Sequence, residues 1–139
     1  MKRRPTIDSA VVKGGKGKVF MCKVIGVVGS RRRNSFKDYK ALNEVFDNIY
    51  EKGDRLVSGG CPQGGDRFAE GVARSRGLTI TIHHADWKGL GKTAGFERNT
   101  YIAEDCDVLL AVVASDRKGG TEDTIKKAHT LGKTVILIQ

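Results

Sequence analysis

Two kinds of apolar pattern alternate along the chain, short continuous runs and runs at helical spacing, with glycines at the junctions. Lys23 to Gly29 reads KVIGVVG, an almost wholly apolar segment of strand length that ends in glycine, as in a strand buried on both faces. Ser35 with Asp38 three residues later has the form of a capping box. Phe36, Tyr39, Leu42, Phe46 and Ile49 then recur at steps of three and four until Gly53, which predicts a first helix with an inward apolar stripe. Arg55 to Ser58 (RLVS) predicts a short second strand, stopped by Gly59-Gly60. A loop with Pro62, Gly64 and Gly65 leads to Asp66, read as the N-cap of a second helix that buries Phe68, Ala69, Val72 and Ala73 and ends at Gly77. Leu78 to His83 (LTITIH) alternates in the way of a strand near a sheet edge.

The second half repeats the rhythm. After the loop HADWKGLGKTAG and a segment from about Phe96 to Glu104, Val108 to Val113 (VLLAVV) predicts another strongly buried strand. Thr121 is expected to cap a last helix, with Glu122 and Asp123 in its first turn, Ile125, Ala128 and Leu131 on one face and Gly132 as its stop. Thr134 to Gln139 (TVILIQ) completes the set. Strands that alternate with helices need crossovers, so the expected fold is α/β, three-layered, with a mostly parallel sheet of about five strands in the order 3-2-1-4-5.

Composition narrows the function classes. A chain of 139 residues suits one core, placed here over residues 21–139. The net charge of +9 suggests a nucleic-acid partner until its distribution is considered, because residues 1–20 hold six basic residues against Asp8 and so supply +5 of it. That segment is read as a flexible basic arm, an alternative start ahead of Met21, or an appended sequence. Cys22, Cys61 and Cys106 are too scattered for a disulfide framework or a zinc cluster, and no apolar run reaches membrane-spanning length, so a cytoplasmic protein is expected. The three histidines lack metal-ligand spacing, and neither a metal nor a cofactor is expected.

Candidate chemistry collects where the strands end. In an open parallel sheet, ligands bind beyond the carboxyl ends of the strands. Gly29-Ser30-Arg31, Ser58-Gly59-Gly60, Gly64-Gly65-Asp66 and Gly119-Gly120-Thr121 all fall there. Glycines let backbone N–H groups approach an anion, and a helix N-terminus adds free donors and a favourable dipole. Each loop has a plainer alternative, a tight turn or an ordinary cap, and Glu122 and Asp123 would repel a phosphate that they faced. Arg31 is a candidate anion fork, whereas Arg32 and Arg33 fit a solvated basic turn. Trp87 fits a partly buried packing residue better than a base-stacking platform. Neither the GxxxxGK[ST] pattern nor a correctly placed GxGxxG is present, which disfavours ordinary ATPase and dinucleotide-dehydrogenase chemistry.

Four blocks, VVGSR at 27–31, SGGCPQGGDRFAEGVARSRG at 58–77, ADWKGLGKTAGFERN at 85–99 and GGTEDTIKKA at 119–128, resemble the small DUF2493-type branch of the SLOG superfamily. That superfamily includes DprA and the Lonely Guy phosphoribohydrolases. The resemblance implies a Rossmann-like fold and a nucleotide-type ligand among Gly29, Ser30, Gly59, Gly60, Gly65, Asp66, Arg98, Asn99, Gly120 and Thr121. Lonely Guy enzymes carry PGGxGTxxE with a separate arginine. In this chain Arg98 matches the arginine, but Thr124 stands in the glutamate's position, with Glu122 and Asp123 displaced around the helix. Three readings follow: a nucleotide-binding or sensing domain; a nucleoside-monophosphate N-glycosidase, with Arg98, Glu122 and Asp123 as its candidate catalytic groups; and a DNA- or RNA-binding protein using the basic arm. A homo-oligomer is an open expectation by analogy with the superfamily.

Overall fold

The computed structural model describes residues 22–139. Within them the chain runs β1 (Val24–Gly29), α1 (Phe36–Ile49), β2 (Arg55–Ser58), α2 (Gly65–Arg76), β3 (Ile80–Ile82), α3 (Trp87–Leu90), a short 3₁₀ turn (Gly91–Thr93), α4 (Ala94–Asp105), β4 (Val108–Val112), α5 (Gly120–Thr130) and β5 (Thr134–Ile138). The five strands form one parallel sheet in the order β3-β2-β1-β4-β5. This is the α/β, Rossmann-like arrangement expected from the sequence. The basic arm assigned to residues 1–20 lies outside the described residues.

Strand alternation divides the core into two layers. Ile25 and Val27 of β1, Leu56 of β2, and Leu110 and Val112 of β4 turn to one face, where Leu42 and Phe46 of α1 and Phe68 and Val72 of α2 cover them. Val24 and Val28, Val57, and Leu109 and Ala111 turn to the other, under Ile102 and Ala103 of α4 and Ile125 and Ala128 of α5. Because side chains alternate every second residue, β1 and β4 must be apolar throughout to serve both layers, which is what makes them legible as continuous runs.

Five local expectations change, one of them at Leu131, which is 49% exposed at the C-cap of α5 and not on its packed face with Ile125 and Ala128. Asp66 is not the N-cap of α2: Gly64 holds that position, and Asp66 lies buried in the first turn. Thr121 likewise lies inside α5, whose N-cap is Gly119. In both cases a glycine with φ of +74° or +117° makes the entry turn, a conformation that a side-chain capping residue rarely adopts. Phe36 stands 76% exposed, outside the stripe of α1, because it is the first residue of the helix and lies beyond the turn that packs on the sheet. Trp87, expected to be partly buried, is more than half exposed on the short α3. The Ser35–Asp38 capping box is present as read.

No helix among the described residues is long and apolar enough to cross a membrane.

Candidate functional site

The carboxyl ends of β1 and β4 lie side by side, with Gly29 paired to Val112 and the Ser30 N–H donating to Val112 O at 2.9 Å. The next residues must leave the sheet, so the β1–α1 and β4–α5 loops diverge and open a cleft of about 380 Å³. That is within the volume range of small-molecule sites and at the place where strand order reverses in a parallel sheet.

Of the sequence-predicted residues, Gly29, Ser30 and Arg31 line the cleft from the end of β1 and Asp66 from α2, facing Arg98 and Asn99 of α4. Gly119, Gly120 and Thr121 complete it from the start of α5. The others support it from behind. Ser58 is fully buried and donates its hydroxyl to Val27 O and to Asp66 Oδ1. Gly59 offers its carbonyl to Arg98 Nη1 at 3.2 Å. Gly64 and Gly65 press against the backbone of Ser30 and of Val28–Gly29, so closely that a Cβ on either would overlap it. Gly60, with φ +91°, borders a second cavity of about 710 Å³ between α1 and α2, lined also by Tyr39 and His84.

The candidate acids do not enter the cleft. Glu122 is engaged by Arg117 through two hydrogen bonds at 2.7 and 2.9 Å. Asp123 accepts Asn99 Nδ2 at 3.1 Å and pairs with Lys127 at 2.9 Å. Asn99 thereby ties α4 to the first turn of α5, its amide also donating to Gly120 O at 3.3 Å and its carbonyl accepting Arg98 Nε at 3.1 Å.

Six lining residues were not among the ligand-site candidates: Val28, Arg32, Cys61, Ile102, Lys118 and Thr124. Arg32 meets Asp116 through two parallel bonds at 2.9 and 2.8 Å, which holds the β1–α1 loop against the β4–α5 loop. Nothing local in the sequence marks this pair, 84 residues apart. Arg33, unlike the exposed Arg32, does not fit a solvated turn. It pairs with Asp38 at 2.8 Å and donates to Val113 O and Ile138 O at the ends of β4 and β5.

The lining holds four cationic residues, Arg31, Arg32, Arg98 and Lys118, against one acid, Asp66. Burial raises the Asp66 carboxyl above the ordinary aspartate range, against the opposing pull of the Cys61 N–H, the Ser58 hydroxyl and the Arg98 charge. Arg31 and Lys118 make no ion pair with any described residue. Two uncommitted cations beside the first-turn N–H groups of α5 make this an electropositive cleft suited to an anion. Among the described residues, no cluster of His, Cys, Asp and Glu is placed to hold a metal ion.

Two solved structures are similar to this chain. One is the molybdenum cofactor binding protein from the phototrophic bacterium Rippkaea orientalis, at 25% identity and TM-score 0.60. The other is the molybdenum cofactor carrier protein MCP from Chlamydomonas reinhardtii, at 26% identity and TM-score 0.61. Each alignment covers 84% of this chain and 76% of the other. No family model matches the chain. No curated protein matches it either. The expectation that no cofactor is involved is corrected by this finding: both similar structures are of proteins named for a cofactor they bind or carry. The sequence showed no such signal because a cleft built from turn glycines and loop cations has no cofactor-specific spacing.

Proposed function

We propose that the chain is a binding or carrier domain of the SLOG type, in its DUF2493-like branch, that holds a phosphate-bearing small molecule in the cleft between the β1–α1 loop and the start of α5. The observation that carries this reading is the pair of uncommitted cations, Arg31 and Lys118, beside the amino end of α5, in a lining that is otherwise short of acids. A nucleotide and the molybdenum cofactor share one recognisable feature, a phosphate ester, and it is the feature these groups suit. The residues fit the anionic part of such a cofactor and offer no ligand cluster for its metal. Holding rather than hydrolysis is favoured because Glu122 and Asp123 are engaged outside the cleft and the remaining acid, Asp66, spends its oxygens on Ser58 and Cys61.

The test is titration calorimetry with inorganic phosphate, AMP and isolated molybdenum cofactor, together with mass spectrometry of small molecules that co-purify. Binding is expected to weaken with salt and in Arg31→Ala and Lys118→Ala. A folded protein that binds none of the three and co-purifies with no phosphate ester would overturn the reading.

A further inference from the structure

One buried polar group in the cleft has no structural employment. Thr124 lies on α5, 1% exposed, and lines the cleft floor. Its hydroxyl makes no hydrogen bond to any described residue. Two threonines further along helices return theirs to the preceding turn, Thr100 to Phe96 O at 3.1 Å and Thr130 to Lys126 O at 3.0 Å. The corresponding acceptor for Thr124 is Gly120 O, which instead receives Asn99 Nδ2 at 3.3 Å. A buried hydroxyl without a partner destabilises a fold, so its natural partner is something that enters the cleft.

The surroundings say what kind of group that is. Arg31, Arg32 and Lys118 are all exposed, at the rim, together with Gly119 and Gly120 at the start of α5. Thr124 lies a turn deeper, where Val28 and Ile102 are apolar and Asn99 is engaged with Asp123 and Gly120. A phosphate is best held at the rim, and carrying its charge to this floor would mean desolvating it away from the cations. Resting on the reading of the cleft as a phosphate-ester site, we infer that Thr124 is a specificity-determining contact whose hydroxyl hydrogen-bonds an uncharged oxygen of the ligand, a hydroxyl or carbonyl next to the phosphate. The cleft then has two parts, a rim that accepts any phosphate and a floor that distinguishes a phosphate ester from the bare anion.

Thr124→Val removes the hydroxyl at nearly constant shape, and Thr124→Ser keeps it. Melting of the ligand-free proteins is read first: Thr124→Val is expected to melt at or above the wild-type temperature, since an unpaired buried hydroxyl is removed. A fall in its midpoint that Thr124→Ser does not share would show the hydroxyl to be structurally engaged and overturn the proposal. Binding of inorganic phosphate and of AMP is then measured on all three. The expected pattern is an AMP affinity lowered on the order of tenfold in Thr124→Val and largely kept in Thr124→Ser, with phosphate affinity unchanged. Equal AMP binding by wild type and Thr124→Val would overturn the contact, and equal losses for AMP and phosphate would overturn the division into rim and floor. If wild type binds phosphate but gains nothing from the rest of AMP, the floor does not read this ester and the proposal fails while the anion site stands. Wild type that binds neither probe overturns this inference, and where it also fails to bind isolated molybdenum cofactor the phosphate-ester reading falls with it.

Discussion

Asp66 Oδ2 lies 4.0 Å from Arg98 Nη1, beyond a hydrogen bond, and each group is held by other partners. Asp66 accepts the Ser58 hydroxyl at 3.0 Å and the Cys61 N–H at 3.1 Å, while Arg98 donates to Gly59 O and Asn99 Oδ1. The two walls of the cleft, α2 and α4, are therefore joined through the Gly59–Cys61 turn as well as by this long ion pair. This leaves the Asp66 carboxyl dominated by its burial, which raises its pKa from the ordinary value.

The sign of the pH effect follows. A carboxyl with a folded pKa above its unfolded one favours the fold most when protonated, so its contribution is fully present below the unfolded value near 3.8 and is lost as pH rises through the folded value. Urea unfolding of wild type and Asp66→Asn across about pH 3 to 7 is expected to show the variant gaining relative stability with rising pH. A difference that is flat, or that runs the other way, would show that hydrogen bonds to the charged form outweigh desolvation.

Asp38 has the opposite sign. Burial pushes its carboxyl up, but the hydrogen bond from Arg33, the Ser35 N–H and hydroxyl, and the Arg33 charge together bring it below the ordinary value. Its contribution is present above the unfolded value near 3.8 and is lost as pH falls through the folded one. Asp38→Ala removes the reciprocal half of the α1 capping box and frees Arg33 from its pairing. A loss of about 1–2 kcal/mol is expected at neutral pH, shrinking toward acid pH, by denaturant melts. A deficit that is constant with pH would remove the charge from the account.

Gly65 sits where α2 starts against β1. An added Cβ would overlap Gly29 N and the Val28 carbonyl, and these are backbone atoms that cannot rotate away. Gly65→Ala is expected to destabilise by roughly 3 kcal/mol or more, whereas Gly120→Ala, whose Cβ meets nothing within 4 Å, is expected to change stability little. Comparable melting of the two variants would contradict the close approach.

The contrast between these glycines shows where sequence reasoning reached and where it stopped. Continuous runs such as VIGVVG and VLLAV predicted the central strands because they must be apolar on both faces, and Gly77 and Gly132 predicted helix ends because φ is positive there. Gly29, Gly65 and Gly120 looked alike as letters, yet Gly29 and Gly120 line the cleft while Gly65 packs behind it, and of the two that open helices only Gly65 meets another backbone, because a glycine's neighbours in space are set by distant strands. Arg32–Asp116 and the free hydroxyl of Thr124 were hidden for the same reason. The first depends on two loops meeting across the sheet, and the second on Asn99 occupying an acceptor that the helix itself would have used.

The three cysteines give a readout of cleft occupancy that works for any ligand. Cys22 is exposed, Cys61 half-buried at the boundary of both cavities, and Cys106 buried. Burial pushes the Cys106 thiol up to about 12, so its thiolate, the reactive form, is scarce at neutral pH. A thiol-specific reagent on the native protein is therefore expected to modify Cys22 and Cys61 and to reach Cys106 only on unfolding. Because Cys61 lines the anion cleft while Cys22 does not, a bound phosphate ester should slow labelling at Cys61 alone, read by peptide mass mapping with and without saturating AMP. Slowing at both sites would point to a global tightening of the fold, and slowing at neither, under conditions where calorimetry shows AMP bound, would place the ligand somewhere other than this cleft.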